Sequence, residues 1–325
     1  MTGATGSAST AVRSDQVSYV PKIRIDPLGI RNDYHRGGWN YAEACLRPLE
    51  TPSGILFEGL LELHLARGAR RADLGWPRRE PWIGFLHNPH NMPQGHFDGL
   101  NPRVFMRSPI WIESMKTCRG LFALSKYYAD WLRRELPVAI GTLLHPTETP
   151  LEKFDWERFA SNPRPRVVHV GRWLRRFESI LELQASGFTK TIVSSPGASF
   201  GDLWKSKAAG DVELMDYLSP PDYDRVLAEN IAFSDLLDAS ANNLVVECIV
   251  RGTPLVVNRH PAVVEYMGAD YPLLYDSVEE AGRLIGDRAR LAAAHHHLVA
   301  RNKGEPFSGE AFRDAFATSD IYSRL

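Results

Sequence analysis

The chain has 325 residues, of which 44% are hydrophobic and 24% charged, with a formal net charge of −1; at roughly 100–200 residues per domain this is the length of two domains, each able to bury a core. The charge balance excludes a general nucleic-acid binder, which carries a clear basic excess, but leaves room for a local basic pocket that holds phosphate. Cys45, Cys118 and Cys248 are too dispersed for a disulfide framework or a cysteine zinc site, which points to a reducing cytoplasm, and no apolar run has the length of a membrane span.

In chain order, residues 1–20 are small and polar and read as a disordered lead without the apolar core of a signal peptide. KIRID (22–26) is the first strand expected. RGGW (36–39) reads as a glycine turn at Gly37 and Gly38 that opens a helix over 37–50; such a turn can admit an acceptor or phosphate close to the backbone, and a structural turn explains it equally well. GILFE (54–58), WIGFL (82–86), GLFAL (120–124) and VAIGTLL (138–144) read as strands. SKYYADWLRREL (125–136) reads as a helix capped by Ser125, with positions 128, 131, 132 and 136 on one face. The polar stretch 151–165, with two prolines near its end, reads as a linker between a first domain over 21–150 and a second over 166–325, whose terminal helix can cross back to the first.

The second region is more regular. VVHVG (167–171), KTIVSS (190–195), VELMDYL (212–218), IAFSDLL (231–237), PLVVN (254–258) and PLLYD (272–276) are strand runs. Amphipathic stretches over 221–230, 241–252 and 262–268, and one long helix over 278–300, separate or follow them. Apolar strands alternating with helices predict an α/β fold with a parallel sheet covered on both faces. Two such domains face to face leave a cleft at the carboxyl ends of their strands, where open α/β sheets bind ligands.

Three segments place chemistry at those ends. In ANNLVVECIVRG a helix begins near Asn242 and Asn243, after a loop holding Asp238 and Ser240. Free amides at a helix start attract phosphate, and Glu247, inside a strongly apolar helix, can accept from vicinal hydroxyls such as those of a ribose. In VGRWLRR the strand ends at Gly171 and delivers Arg172, Arg175 and Arg176, whose guanidinium forks suit diphosphate oxygens. In WIGFLHNPHNMP a strand of the first domain runs into His87 and Asn88, which can meet a sugar hydroxyl from the other side of the cleft. The bland readings are a solvated glutamate, a surface basic cluster and a core histidine. His87, His90 and His96 do not have a zinc spacing, and His295, His296 and His297 point in three directions on a helix surface. Neither a dinucleotide-binding glycine fingerprint nor a P-loop is present.

Together these segments resemble retaining GT-B glycosyltransferases of the family 1 and family 4 kind, from about residue 22 onward and most closely over 167–280. The resemblance implies two Rossmann-like α/β domains facing across a cleft and transfer of a sugar from a nucleotide-diphosphate donor to an acceptor hydroxyl with retention, without a metal or other cofactor. It gives Glu247 the ribose. The partner glutamate of the family's E-x7-E pattern falls on Ala239, so Asp238 or the backbone amides of 240–243 are left to handle the donor sugar. The family's lysine that accompanies Arg172 is also replaced, by Arg175 or Arg176. A nucleotide-sugar epimerase and a non-catalytic binding module of the same architecture are the alternatives.

Overall fold

The computed structural model describes residues 19–25, 38–68, 75–93, 95, 98–194 and 211–325. Most of the expected lead, Gly37 and His96 lie outside these residues. The apolar runs form two parallel sheets. In the first, β1 (Ile23–Ile25), β2 (Ile55–Glu58), β3 (Trp82–Leu86), β4 (Cys118–Ala123) and β5 (Ile140–Thr142) lie side by side in chain order. In the second, β6 (Arg166–Val170), β7 (Thr189–Val193), β8 (Val212–Met215), β9 (Ile231–Ser234), β10 (Leu255–Asn258) and β11 (Leu274–Tyr275) take the order β11-β10-β9-β6-β7-β8. The chain winds outward from β6 to one edge and returns through β9 to the other, so β6 and β9 flank a topological switch point, the usual ligand crevice of such sheets.

The inner strands of both sheets are buried on two faces, which is why β2, β3, β4, β9 and β10 read as apolar runs, whereas the edge strands β1 and β8 are interrupted by Arg24 and Glu213. In the first sheet Phe57, Ile83, Phe85 and Phe122 point to one core, and Leu56, Trp82, Leu86 and Leu121 to another. The Leu61–Gly68, Pro109–Met115 and Lys126–Glu135 helices cover the second of these faces. Ser125 caps the last of them by accepting from the Tyr128 amide, and Tyr128, Trp131 and Leu132 are buried beneath it.

Three local expectations are corrected. The helix expected over 278–300 is two helices, Val278–Gly286 and Arg288–Arg301. Asp287 ends the first, and its side chain accepts from the Arg290 amide to start the second. The triple histidine is not a solvated surface: His295 Nδ1 bonds the Gly252 carbonyl at 2.7 Å and His297 Nε2 bonds the Met267 carbonyl at 2.6 Å, each closing the C-terminus of a neighbouring helix, while His296 is exposed. The 151–165 stretch holds a short helix, Trp156–Ala160, and buries Phe154 and Phe159 in the core of the second sheet, with Val167, Ile192 and Phe233.

The chain ends on the first sheet. The Gly309–Ala317 and Asp320–Ser323 helices place Phe312, Phe316, Ile321 and Tyr322 in the core built on β1 to β4 and the Trp39–Leu46 helix. Three further contacts tie the two halves. Both carboxylate oxygens of Glu265 accept from the Lys126 amide, at 2.8 and 2.9 Å, at the N-terminus of the facing helix, where the helix dipole favours negative charge. The Tyr266 hydroxyl donates to the Leu124 carbonyl at 2.5 Å and accepts from the His145 amide at 2.9 Å. Asp238 accepts from the Asn91 amide at 2.8 Å.

Phe316 packs its ring 5.0 Å from Phe122 and 5.7 Å from Phe57, centroid to centroid. Phe316→Ala should therefore destabilise the protein by about 3–5 kcal/mol, the cost of a large buried aromatic and its cavity. Urea unfolding of the two proteins measures this. A loss below about 1 kcal/mol would mean that the returning helix only rests on the first sheet.

Candidate functional site

β6 stops at Val170, and Gly171 turns the chain with φ of 77°. A Cβ at Gly171 would sit 2.4 Å from Arg175 Nη1, so the missing side chain is what lets the guanidinium fold back over the strand end. Arg175 Nε donates to Ser234 Oγ at 3.2 Å and Nη2 to Asn242 Oδ1 at 3.3 Å. One side chain thus joins the ends of β6 and β9 to the start of the Asn243–Arg251 helix. Burial lowers the Arg175 pKa from 12.5 to about 10, with Tyr223 and Glu247 opposing the change, so the charge persists at neutral pH.

After β9 the chain is pinned by a two-way amide bond. The Leu236 amide donates to Asn258 Oδ1 at 2.8 Å, and Asn258 Nδ2 donates back to the Leu236 carbonyl at 2.9 Å. Asn242 then caps the next helix, its Oδ1 accepting from the Val245 amide. Glu247 lies one turn in and is only 1% exposed. Its Oε2 accepts from the Tyr223 hydroxyl at 2.5 Å. Tyr223 comes from the Pro220–Glu229 helix, and beside it Arg251 pairs with buried Asp224. Desolvation, and then the neighbouring carboxylate, push the Tyr223 pKa well up, so the phenol keeps the proton it donates.

The facing wall is built at the end of β3. His87 Nε2 bonds the Gly59 carbonyl at 2.7 Å. A carbonyl can only accept, so Nε2 carries the proton and Nδ1 presents a lone pair. Loss of solvent lowers the His87 pKa to about 4, which keeps the ring neutral at ordinary pH. The Trp39 ring stands edge-on to it at 4.4 Å. The His87 and Asn88 amides both donate to Glu62 Oε1, at 2.5 and 2.8 Å. Asn88 Nδ2 reaches the Leu100 carbonyl.

Between these walls lies a cleft of about 630 Å³. Eight residues singled out in the sequence line it: His87 and Asn88 from the first half, and Gly171, Arg172, Arg175, Asn242, Asn243 and Glu247 from the second. The others lie elsewhere. Arg176 turns away to Asp235 Oδ1 and the Leu236 carbonyl, which leaves Arg175 as the second cation of the cleft. Asp238, 2% exposed, is engaged with His260 Nε2 at 2.8 Å and with the Asn91 and Ala239 amides, so it bridges the domains instead of lining the cleft. Burial alone would raise its pKa; the bonds from His260, Asn91 and Ala239 outweigh burial and hold it down. Ser240 is fully buried. Gly38 is the turn before the Trp39–Leu46 helix and is buried away from the cleft.

Tyr223, Trp173, Leu124 and His145 also line the cleft and were not singled out. His145 follows a strand end as His87 does, so the same rule applied to TLLHP would have found it. Tyr223 sits on an ordinary amphipathic helix and carries no sequence signal. Among the described residues no cluster of three or more His, Cys, Asp or Glu side chains could hold a metal ion, and no helix is long and apolar enough to cross a membrane.

No protein-family model and no curated protein matches the chain. Solved structures match it in fold. Alr3699/HepE from Anabaena, in complex with UDP and glucose, superposes with a TM-score of 0.64 at 14% identity, over 83% of this chain and 78% of that one. An alpha,alpha-trehalose-phosphate synthase (UDP-forming) from Burkholderia vietnamiensis gives 0.56 at 14% identity, over 88% and 75%. TarM from S. aureus, in complex with Fondaparinux, alpha-GlcNAc-glycerol and UDP, gives 0.57 at 13% identity, over 74% of this chain and 52% of TarM, so the chain spans about half of that protein. Two parallel sheets, each flanked by helices and facing across a cleft, are the GT-B architecture.

Glu62 generates a pH dependence. Burial raises its pKa from 4.5 to about 7 against the opposing amides of Asn88, Glu62 itself and His87. The native carboxyl therefore keeps a proton that the unfolded chain has released, and its contribution to stability, complete below pH 4.5, is lost as pH rises through about 7. Relative to the non-titrating Glu62→Gln, the wild type should lose on the order of 3 kcal/mol between about pH 4 and about pH 8. Denaturant titrations of both proteins across that range check it; parallel stability curves would place Glu62 in a solvated setting.

Proposed function

We propose that the chain is a glycosyltransferase that takes a sugar from a nucleotide-diphosphate donor and passes it to an acceptor hydroxyl with retention. The observation that carries this reading is the pairing across one cleft of a cationic strand end (Arg172, Arg175), a buried carboxylate near a helix start (Glu247) and a neutral histidine from the opposite sheet (His87). Fold likeness to proteins solved with UDP and with UDP-glucose supports it as analogy.

In this reading Glu247, one oxygen already satisfied by Tyr223, accepts from the ribose with the other. The diphosphate lies at the Asn243 helix start, between Arg172 and Arg175. The bond from the anomeric carbon to the diphosphate oxygen breaks, and the charge left on that oxygen is met by the two guanidinium groups and the helix amides. The acceptor oxygen bonds the same carbon from the same face, and its proton goes to the departing diphosphate. His87 Nδ1 accepts from a sugar hydroxyl and fixes the ring in place. No step requires a metal ion, because fixed cations stand where the charge develops. Ala239 offers the sugar no carboxylate and Asp238 is held elsewhere, and this favours a non-catalytic binding module as the second reading. Incubation with a panel of nucleotide sugars and simple acceptors separates the two readings: transfer or slow donor hydrolysis supports the enzyme, and tight binding with neither supports the module.

Glu247→Ala should weaken binding of nucleoside diphosphates by about 10- to 100-fold, the worth of a charge-assisted hydrogen bond. Calorimetry gives the affinity, and an unchanged value in a folded variant would remove the ribose role. Arg172→Ala and Arg175→Ala should lower turnover more than they weaken nucleoside monophosphate binding, since their charge matters where the diphosphate departs. Full activity in both would discard the phosphate role.

His87→Ala should leave free nucleotide binding intact and reduce transfer by roughly 10- to 10³-fold. A histidine that serves packing alone would instead lower the melting temperature and leave activity per folded molecule unchanged. Both quantities measured on one variant decide.

A further inference from the structure

The buried carboxyl of Glu62 is outside the chemistry above, yet it touches the turn that carries His87. Glu62 lies in the first turn of the Leu61–Gly68 helix, which Leu61 and Leu65 fix in the core under β2 and β3. Its Oε1 accepts from two consecutive amides, His87 N at 2.5 Å and Asn88 N at 2.8 Å. Two residues before that helix, the Gly59 carbonyl accepts from His87 Nε2 at 2.7 Å. A Cβ at Gly59 would lie 2.4 Å from Trp39 Nε1, so this backbone is pressed against the indole that also walls the His87 ring. The segment 59–62 therefore holds the residue at both ends, the backbone through Glu62 and the imidazole through Gly59. Once both are held, Nδ1 is the ring nitrogen without a hydrogen-bond partner among the described residues, and His87 lines the cleft.

We propose that Glu62 is a positioning residue: its carboxyl fixes the His87–Asn88 turn so that the imidazole stands in the cleft as its Nε2–H tautomer, with Nδ1 offered to the substrate. The role in transfer rests on the proposed function; the hold on His87 does not. Without an acceptor at Oε1, two part-buried amides at a strand end lose their partner, the turn relaxes, and the contact between Nε2 and Gly59 is no longer enforced. The titratable groups that face Glu62 are His64 on its own helix and Tyr128 on the Lys126–Glu135 helix. Neither donates to the carboxyl in place of the two amides.

The test compares Glu62→Gln, which keeps an acceptor oxygen, with Glu62→Met, which keeps the volume and removes it. In the full chain labelled with ¹⁵N-histidine, the wild type and Glu62→Gln should show His87 as the Nε2–H tautomer titrating near pH 4. In Glu62→Met the ring should become a tautomer mixture titrating nearer 6.5. With an active donor, Glu62→Met should lower kcat about 10- to 100-fold while the nucleoside diphosphate Kd stays within about two-fold, and Glu62→Gln should recover kcat to within about three-fold of wild type. If Glu62→Met does not fold, Glu62→Asp, shortened by one methylene, replaces it with the same readouts expected. A folded acceptor-less or shortened variant with wild-type His87 titration and tautomer overturns the proposal, as does a Glu62→Gln that loses both. If no nucleotide sugar is turned over by the wild type, the functional reading falls, and the histidine spectra alone decide the hold on His87.

Discussion

A parallel sheet stops in amides and carbonyls that have no next residue to pair with, and in this protein two sheets aim those ends at each other. Every element around the cleft follows from how the ends are satisfied. At β3 the His87 and Asn88 amides turn to Glu62. At β9 the Leu236 amide and carbonyl turn to Asn258. At β4 the Leu124 carbonyl and the Lys126 amide are met across the domain boundary by Tyr266 and Glu265. Polar groups consumed in this way cannot bind ligand. The cleft is lined both by groups so engaged, such as Asn88, Arg175 and Asn242, and by Gly171, Arg172, Asn243, Glu247 and His87.

The cleft sets two cations, Arg172 and Arg175, against one carboxylate, Glu247. Arg175 keeps its proton at neutral pH despite burial, with the nearby Glu247 opposing the loss, and Glu247 is in turn supported by the Tyr223 phenol. An isolated buried cation or carboxylate would cost several kcal/mol, and the pairing reduces that cost without closing either group to a ligand. A neutral His87 on the opposite wall adds no charge to be compensated. On the proposed reading an incoming diphosphate then meets a site whose fixed dipoles and cations are already oriented, which is the arrangement that lowers a barrier instead of merely tightening binding.

The inner strands were legible in the sequence because burial on both faces writes them as apolar runs, and the edge strands β1 and β8 were found from shorter runs that Arg24 and Glu213 interrupt. Strand ends marked five residues of the cleft, His87, Asn88, Gly171, Arg172 and Arg175, and a helix start marked Asn242, Asn243 and Glu247, since chemistry at the carboxyl edge of a parallel sheet needs only such boundaries to be located. Features that depend on distant partners were not legible. Nothing near Asp238 announces that Asn91, 147 positions away, supplies the amide that turns its carboxylate out of the cleft. His295 and His297 look like a solvated tract until the ends of two other helices are brought against them. Tyr223 and Glu62 occupy ordinary helical positions and acquire roles only through what the fold lays beside them.

Ala239 and Asp238 carry this argument one step further. At the place where the resembled family has a carboxylate, this chain has a methyl group, and the adjacent carboxylate joins the domains. On the proposed reading the sugar hydroxyls are then met by neutral groups: His87 Nδ1, the Asn88 side-chain oxygen and backbone amides near Ala241 and Asn242. A buried carboxylate left without its hydroxyl costs more than a neutral acceptor left without one, so a charged acceptor discriminates more sharply against a sugar that lacks the hydroxyl or presents it on the other face. Moving the carboxylate to the domain boundary trades that discrimination for a fixed relation between the two walls. Asp238, Glu265 and Tyr266 hold the two walls in register, and on the proposed reading the choice of sugar then rests on the shape of the cleft and on how firmly His87 is held within it.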